Sequence, residues 1–271
     1  MKLGLYLRNM GPQSTRATIV ACARAAEAAG LDDLWLADHI AIPPDQSEGS
    51  GGRYLDPLAT LAFLAGITDR ITIGAAVLVV PYRPSLATAK WVATIQELSA
   101  GRLILGVGVG WMEAEFRAAG VPYDERGRRS DETLAFLGRC FASDEVESNG
   151  QRFLFLPRPA RPPILIGGGM PQSLRRAVRF GDGWMPMLPK SVDPELLREP
   201  IAKLRAEMGA AGKPDCEVAV ITGLPLDDPP AAAARVQALA AVGATRVAHG
   251  WPYADASEFT RAAETMVRLR P

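Results

Sequence analysis

Apolar residues along this chain gather into eight short β-rich runs, separated from one end to the other by longer stretches of helical pattern. The runs lie at residues 3–7, 33–37, 71–79, 103–107, 164–166, 183–187, 216–222 and 245–249, and each is followed by a helical candidate. This alternation predicts β/α units, because a parallel strand reaches its neighbour only through a long crossover, usually a helix. Eight units in 271 residues match the usual size of a closed (β/α)8 TIM barrel, whereas a doubly wound sheet more often has about five to seven strands. The fold is therefore expected to be α/β, one barrel domain over residues 1–271 with insertions at the C-terminal face of the strands. The first helix shows the local logic: Ser14 is placed to cap it, residues 17–29 supply helix formers, and Gly30 ends it. Similar stops are expected at Gly66, Gly101, Gly181 and Gly243.

Two stretches break the rhythm, both after strands, where a barrel carries its substrate loops. Residues 40–54 are rich in Gly, Pro and Ser and read either as a lid or as a plain surface loop; residues 111–129 form the second interruption. A later insert, residues 145–155, alternates as a small hairpin around Asn149 and Gly150.

Composition narrows the partners. Hydrophobic residues make up 48% of the chain, enough for one large core, and 30 basic residues balance 30 acidic ones. Nothing resembles an electrostatic footprint for nucleic acid or an anionic membrane, which leaves a small molecule as the expected ligand. The apolar opening, residues 3–7, is too short for a signal segment or a membrane span. Cys22, Cys140 and Cys216 are scattered without CxxC spacing, as in a reduced cytoplasmic protein. The chain has no GxSxG elbow, HExxH, clustered metal ligands or GxxxxGK[ST], so hydrolase, metalloenzyme and NTP-dependent readings lose their support.

Four strand ends remain as candidate chemistry. LWLADHI ends an apolar run in Asp38 and His39, and C-terminal strand ends face the active site of a parallel barrel. The plainer alternative is a histidine that only caps its strand. RLILGVGVGWMEAEF runs into Gly106, Gly108 and Gly110, where backbone amides can approach an anion or a flat ring; tight strand packing explains the same glycines. PPILIGGGMPQSLRRAVRFGDGW places Gly167, Gly168 and Gly169 before a helix that begins near Pro171, a natural phosphate cradle. Arg175 and Arg176 follow in that helix and read more simply as solvated side chains. ITIGAAVLVVPYRPS is a long buried strand followed by a helix that starts after proline.

Taken in order, DH, VVPYRPS, GVGVGWMEAEF and GGGMPQSLRRAVRFGDGW resemble the luciferase-like monooxygenase superfamily, and within it the coenzyme F420-dependent oxidoreductases. The resemblance spans essentially the whole chain. It implies a deazaflavin, coenzyme F420, or alternatively FMN, over the barrel mouth with its phosphate toward the GGG loop. It implies a non-prolyl cis peptide at Ala76–Val77, in the strand that ends at Val79, behind the coenzyme ring. Asp38 would contact the ring, His39 would sit beside the hydride-transfer centre, and Gly108, Val109 and Gly110 would supply backbone contacts. Sugar-phosphate dehydrogenases of this group carry a glutamate general acid after the glycine run. Trp111 stands there instead and is expected to wall the ring or substrate, while Glu113 and Glu115 become candidate acids if their loop folds inward. The implied chemistry is hydride transfer with a small organic substrate. The alternatives are an FMN-dependent monooxygenase and a non-catalytic flavin-binding barrel. A homodimer is also implied, with an apolar helix at residues 57–67 as one candidate for its interface.

Overall fold

The computed structural model describes residues 1–270. Eight parallel strands close a barrel: β1 (Lys2–Tyr6), β2 (Asp33–Leu36), β3 (Thr72–Val79), β4 (Leu103–Gly108), β7 (Ile164–Gly167), β8 (Gly183–Met185), β9 (Glu217–Thr222) and β10 (Arg246–His249). Around the barrel the order is β1-β10-β9-β8-β7-β4-β3-β2, so each strand pairs with its neighbours in sequence and β1 closes on β10. These are the eight expected runs. The remaining strands, β5 (Glu145–Ser148) and β6 (Gln151–Leu154), form the expected hairpin outside the barrel. Asn149 and Gly150 both adopt positive φ, 51° and 75°, as a tight hairpin turn requires.

Helices α1 (Arg16–Ala29), α2 (Pro57–Ile67), α3 (Ser85–Leu98), α4 (Glu113–Ala118), α5 (Arg126–Ala142), α6 (Gln172–Phe180), α7 (Arg198–Ala210), α8 (Pro229–Ala241) and α9 (Ala256–Arg268) ring the barrel. Their starts follow side-chain chemistry. Asp56 accepts from the Ala59 amide ahead of Pro57, and Asp228 accepts from Ala231 ahead of Pro229. At α1 the cap is Thr15 rather than Ser14, because Thr15 Oγ1 accepts from the Thr18 amide while Ser14 turns inward to Gly11 O and Arg53. Gly30 ends α1 in the left-handed region, as expected. Gly66 does not end α2; it lies inside the helix, which runs to Ile67 with Thr68 as its cap. The 111–129 interruption is likewise more ordered than its sequence suggests, since it contains α4 and the start of α5.

Both faces of the barrel strands are buried, and this explains why their sequences read as unbroken apolar runs. Outward residues such as Leu34, Leu36, Ile73 and Leu105 join the large core beneath the helices. Inward residues Trp35, Ala76, Ile104, Leu165, Met185, Ala219 and Ala248 fill the barrel, with half-buried Tyr6, Val77 and Ile221 packed against them. The register of β3 against β4 shifts between Ala75 and Leu78, a bulge that carries a cis peptide at Ala76–Val77. Tyr6 Oη donates to Ala76 O at 2.5 Å across the barrel. Among the described residues no helix is long and apolar enough to cross a membrane.

Candidate active site

His39 lies just beyond the end of β2, on the C-terminal face of the barrel, with 20% of its side chain exposed. Its Nδ1 is 2.8 Å from Oε2 of Glu115, a residue of α4 that is fully buried. Tyr82 Oη donates to the same oxygen at 2.9 Å, and the amides of Ile40 and Ala41 donate to Oε1 at 2.6 and 2.9 Å. Burial opposes the charge on Glu115, but the hydrogen bonds from His39 and these amides outweigh it and hold the carboxyl down at about 2. An ionised carboxylate only accepts, so Nδ1 of His39 carries a proton, and in the neutral form of the ring the lone pair is at Nε2. Nε2 has no protein partner among the described residues.

Helical geometry separates the two candidate acids of this segment. Residues two apart point to nearly opposite sides of a helix, so Glu113 stands in solvent beside Arg117 while Glu115 turns into the protein. Glu115 is therefore a held base partner of His39 rather than a proton donor. Its spacing from His39, 76 residues, is why the pairing is invisible in the sequence.

Asp38 is 4% exposed and both of its oxygens are engaged within the protein. Arg83 clamps it from Nη1 and Nη2 at 2.7 and 2.9 Å, and the Val79 amide donates to Oδ2 at 2.8 Å. Arg83 also reaches Asp56 at 2.8 Å, at the head of α2. Within the protein these bonds give Asp38 a structural job. Asp38 ties the end of β2 to the end of β3 and fixes the backbone from which His39 projects.

The glycine motifs divide in the same way. A Cβ on Gly108 would come within 2.5 Å of Val77 Cγ2, and one on Gly167 within 2.8 Å of Val77 Cγ1. These two glycines make room for the half-buried Val77 of the β3 bulge, so packing accounts for them. Gly168 and Gly169, by contrast, are exposed, and a Cβ on either would meet nothing within 4 Å. Trp184 Nε1 fixes their loop by donating to Gly168 O at 2.9 Å. The following helix, α6, has no side chain capping its first turn. Open glycines at an uncapped helix start suit an anionic group such as a phosphate. Of the two helix arginines, Arg176 pairs with Asp131 at 2.5 Å and Arg175 is exposed.

Large apolar side chains stand exposed around the mouth: Ile40 after β2 at 42%, Trp111 after β4 at 66% and Met187 after β8 at 74%. Val109 and Gly110 lead into Trp111, half-buried, with Gly110 at positive φ against Phe116. Tyr54, at the end of the 40–54 loop, packs on His39 with ring centroids 5.0 Å apart, and Trp111 meets the same imidazole edge-on at 6.2 Å. An apolar ring of this kind, bordered by one free imidazole nitrogen and an anion cradle, fits a flat aromatic coenzyme with a phosphate-bearing tail. Met187 and Tyr54 carried no motif signal of their own, and only their place after β8 and at the end of the 40–54 loop marks them; Tyr82 lies within VVPYRPS, where its role toward Glu115 could not be read.

Comparison with known proteins shows the family and the fold. A family model described as luciferase-like monooxygenase matches residues 1–270. An uncharacterized protein of Mycobacterium tuberculosis is 32% identical over 209 residues, 70% of this chain and 71% of the relative. The F420-dependent hydroxymycolic acid dehydrogenase of the same organism is 31% identical over 204 residues, 72% of this chain and 54% of that protein. Among solved structures, an F420-dependent secondary alcohol dehydrogenase in complex with an F420-acetone adduct superposes with a TM-score of 0.79 at 15% identity, covering 100% of this chain and 99% of the other. The chain belongs to the luciferase-like monooxygenase family and is an oxidoreductase.

Proposed function

We propose that this enzyme transfers a hydride between coenzyme F420 and a small organic substrate bearing an alcohol or a carbonyl. The observation that carries the reading is the His39–Glu115 pair, which leaves one imidazole nitrogen free at an apolar barrel mouth. F420-dependent relatives at about this level of similarity support the choice of coenzyme. When bound, a deazaflavin supplies a two-electron hydride acceptor or donor.

The protein's own part is orientation and proton exchange. Gly168, Gly169 and the start of α6 would hold the phosphate, while Val77, Val79, Val109, Gly110 and Trp111 would border the ring. In the oxidative direction the substrate hydroxyl gives its proton to His39 Nε2 as the carbon gives up its hydride and the carbonyl forms. The new imidazolium is paired to Glu115, whose charge is already in place. Tyr54 and Trp111 exclude water from the imidazole.

Titration of the purified protein with coenzyme F420 and with FMN, followed by tryptophan fluorescence, tests the reading. Micromolar binding of F420 supports it, preferential binding of FMN replaces it with a flavin monooxygenase, and binding of neither removes both. His39→Ala should slow hydride transfer about 10²–10⁴-fold, the usual worth of a positioned acid–base group, and leave coenzyme affinity intact. We also propose a homodimer, in which a second copy covers Leu86, Trp91 and Leu98, exposed along the outer face of α3 beside the small residues Ala59 and Gly66 of α2. Sedimentation of a monomer at micromolar concentration would remove it.

A further inference from the structure

A cavity of about 370 Å³ opens at the end of β1, bordered by Tyr6, Arg8, Asn9, Tyr54, Trp251 and Pro252, and its wall is mostly apolar. Tyr54 is shared with the site described above: it lines the cavity and packs on the imidazole of His39, with ring centroids 5.0 Å apart. The size is near the lower end for small-molecule pockets, roughly 300–1,000 Å³, which suits a single-ring or short-chain body.

Arg8 is the one basic residue in that wall. Its main-chain amide donates to Tyr253 Oη at 2.9 Å, and its Nη2 donates to Gly49 O at 3.0 Å. Its Nε is buried without any hydrogen-bond partner. Among the described residues no carboxylate lies within ion-pair distance of its guanidinium; Glu48 borders the cavity but is exposed and unpaired with it. A half-buried guanidinium with an orphaned N–H is costly unless something accepts from it, and a carboxylate-type group is the natural planar acceptor.

The Trp251 part of the wall is preorganised and adds no charge. Trp251 stacks on His249 with centroids 4.9 Å apart and ring planes 11° apart. His249 is fixed in turn by accepting the Leu224 amide at 2.9 Å. Burial pushes its imidazole down to about 4, so it is neutral near pH 7.

We infer that this cavity is the substrate pocket of the proposed oxidoreductase, and that Arg8 pairs with an anionic head on the substrate. The substrate class is a small molecule with an apolar body lying between Tyr6, Tyr54 and Trp251, a carboxylate-type group at Arg8, and its alcohol or carbonyl toward His39. The assignment of the reacting end rests on the hydride-transfer reading; the anion site rests on Arg8 alone.

Isothermal titration of the full-length protein, without coenzyme, with 3-phenylpropanoate and with its neutral amide of the same shape, tests the anion site. The carboxylate should bind about tenfold or more tightly than the amide, as expected for a charge-assisted pair. Arg8→Gln should bring the two to parity, Arg8→Lys should keep part of the preference, and His39→Ala should leave it unchanged. Equal binding of both probes to the wild-type protein, binding of neither, or a preference that survives Arg8→Gln overturns the inference. Because no coenzyme is present, such a failure leaves hydride transfer standing. Conversely, a clear carboxylate preference in a protein that binds no coenzyme would remove the reaction and keep the pocket.

Discussion

Both ends of this barrel bury charged residues, and they do so to opposite effect. At the C-terminal mouth, Glu115 and Asp38 are saturated by donors, yet His39, bonded to Glu115 through Nδ1, keeps Nε2 free. At the N-terminal end, Arg246 is 1% exposed and pairs with Asp33 and with Glu217, closing the base with no reactive atom left open. Asp33 Oδ2 and Trp35 Nε1 remain buried there without partners. The same fold thus uses buried ions as a plug below and as a frame above, in line with the division of barrels into a stability face and a catalytic face.

The largest effect expected from breaking this comparison is at the plug. Arg246→Met removes one partner from a fully buried pair and should cost about 3–5 kcal/mol of stability, read by chemical denaturation, with coenzyme affinity unchanged in the fraction that folds. A loss of coenzyme affinity larger than the loss of stability would show that the two ends are not separate.

Glu115→Gln should do the reverse. It keeps an acceptor for the loop amides but removes the charge that faces His39, so turnover should fall by about one to three orders of magnitude with a smaller loss of stability. If turnover is unchanged while His39→Ala is inactive, Glu115 only braces the loop.

The two ends should also respond oppositely to pH. Burial pushes the Asp33 carboxyl up from 3.8 to about 6, past the opposing pull of Arg246, so the folded state holds that proton more tightly than the unfolded chain. Its contribution to stability is full below about 3.8 and is lost as pH rises through about 6. Glu115 is lowered from 4.5 to about 2, so its contribution is present above 4.5 and is lost as pH falls toward 2. Thermal melts of Asp33→Asn and Glu115→Gln against the wild type across pH 3 to 7 should therefore differ in opposite directions. Parallel curves would contradict the assignment.

The smallest effect lies within the glycine motifs. Gly108→Ala places a methyl against Val77 and should cost about 1–3 kcal/mol by overpacking, whereas Gly169→Ala meets no neighbour. Gly169→Ala should leave the melting temperature nearly unchanged and weaken coenzyme binding only. Equal stability losses would erase the distinction between packing and ligand glycines.

These contrasts mark where the sequence is informative. Strands buried on both faces write themselves as apolar runs, and Asn149-Gly150 encodes its own turn, so the barrel and its hairpin are legible residue by residue. DH and the GGG loop stand out because a strand end is a local event. The partners that give them meaning are not local. Arg83 lies 45 residues from Asp38, Glu115 lies 76 from His39, and Arg246 lies 213 from Asp33. Only closure of the barrel brings such residues together, and no spacing rule spans those gaps. Gly108 shows the complementary limit: its need for a missing side chain is plain, but whether ligand or Val77 fills the space depends on the neighbouring strand.

The loop after β2 is fastened at both ends. Ile40 and Ala41 are gripped by Glu115, while Arg53 holds Ser14 and the Leu55 amide donates to Asn9 O. Its middle, residues 44–49, is mostly exposed. Such a segment behaves as a replaceable cassette: insertions, deletions and new side chains can accumulate in the middle while the anchors keep His39 in register. Evolution, or a randomised library confined to residues 44–49, can therefore vary what the enzyme accepts without rebuilding how it reacts.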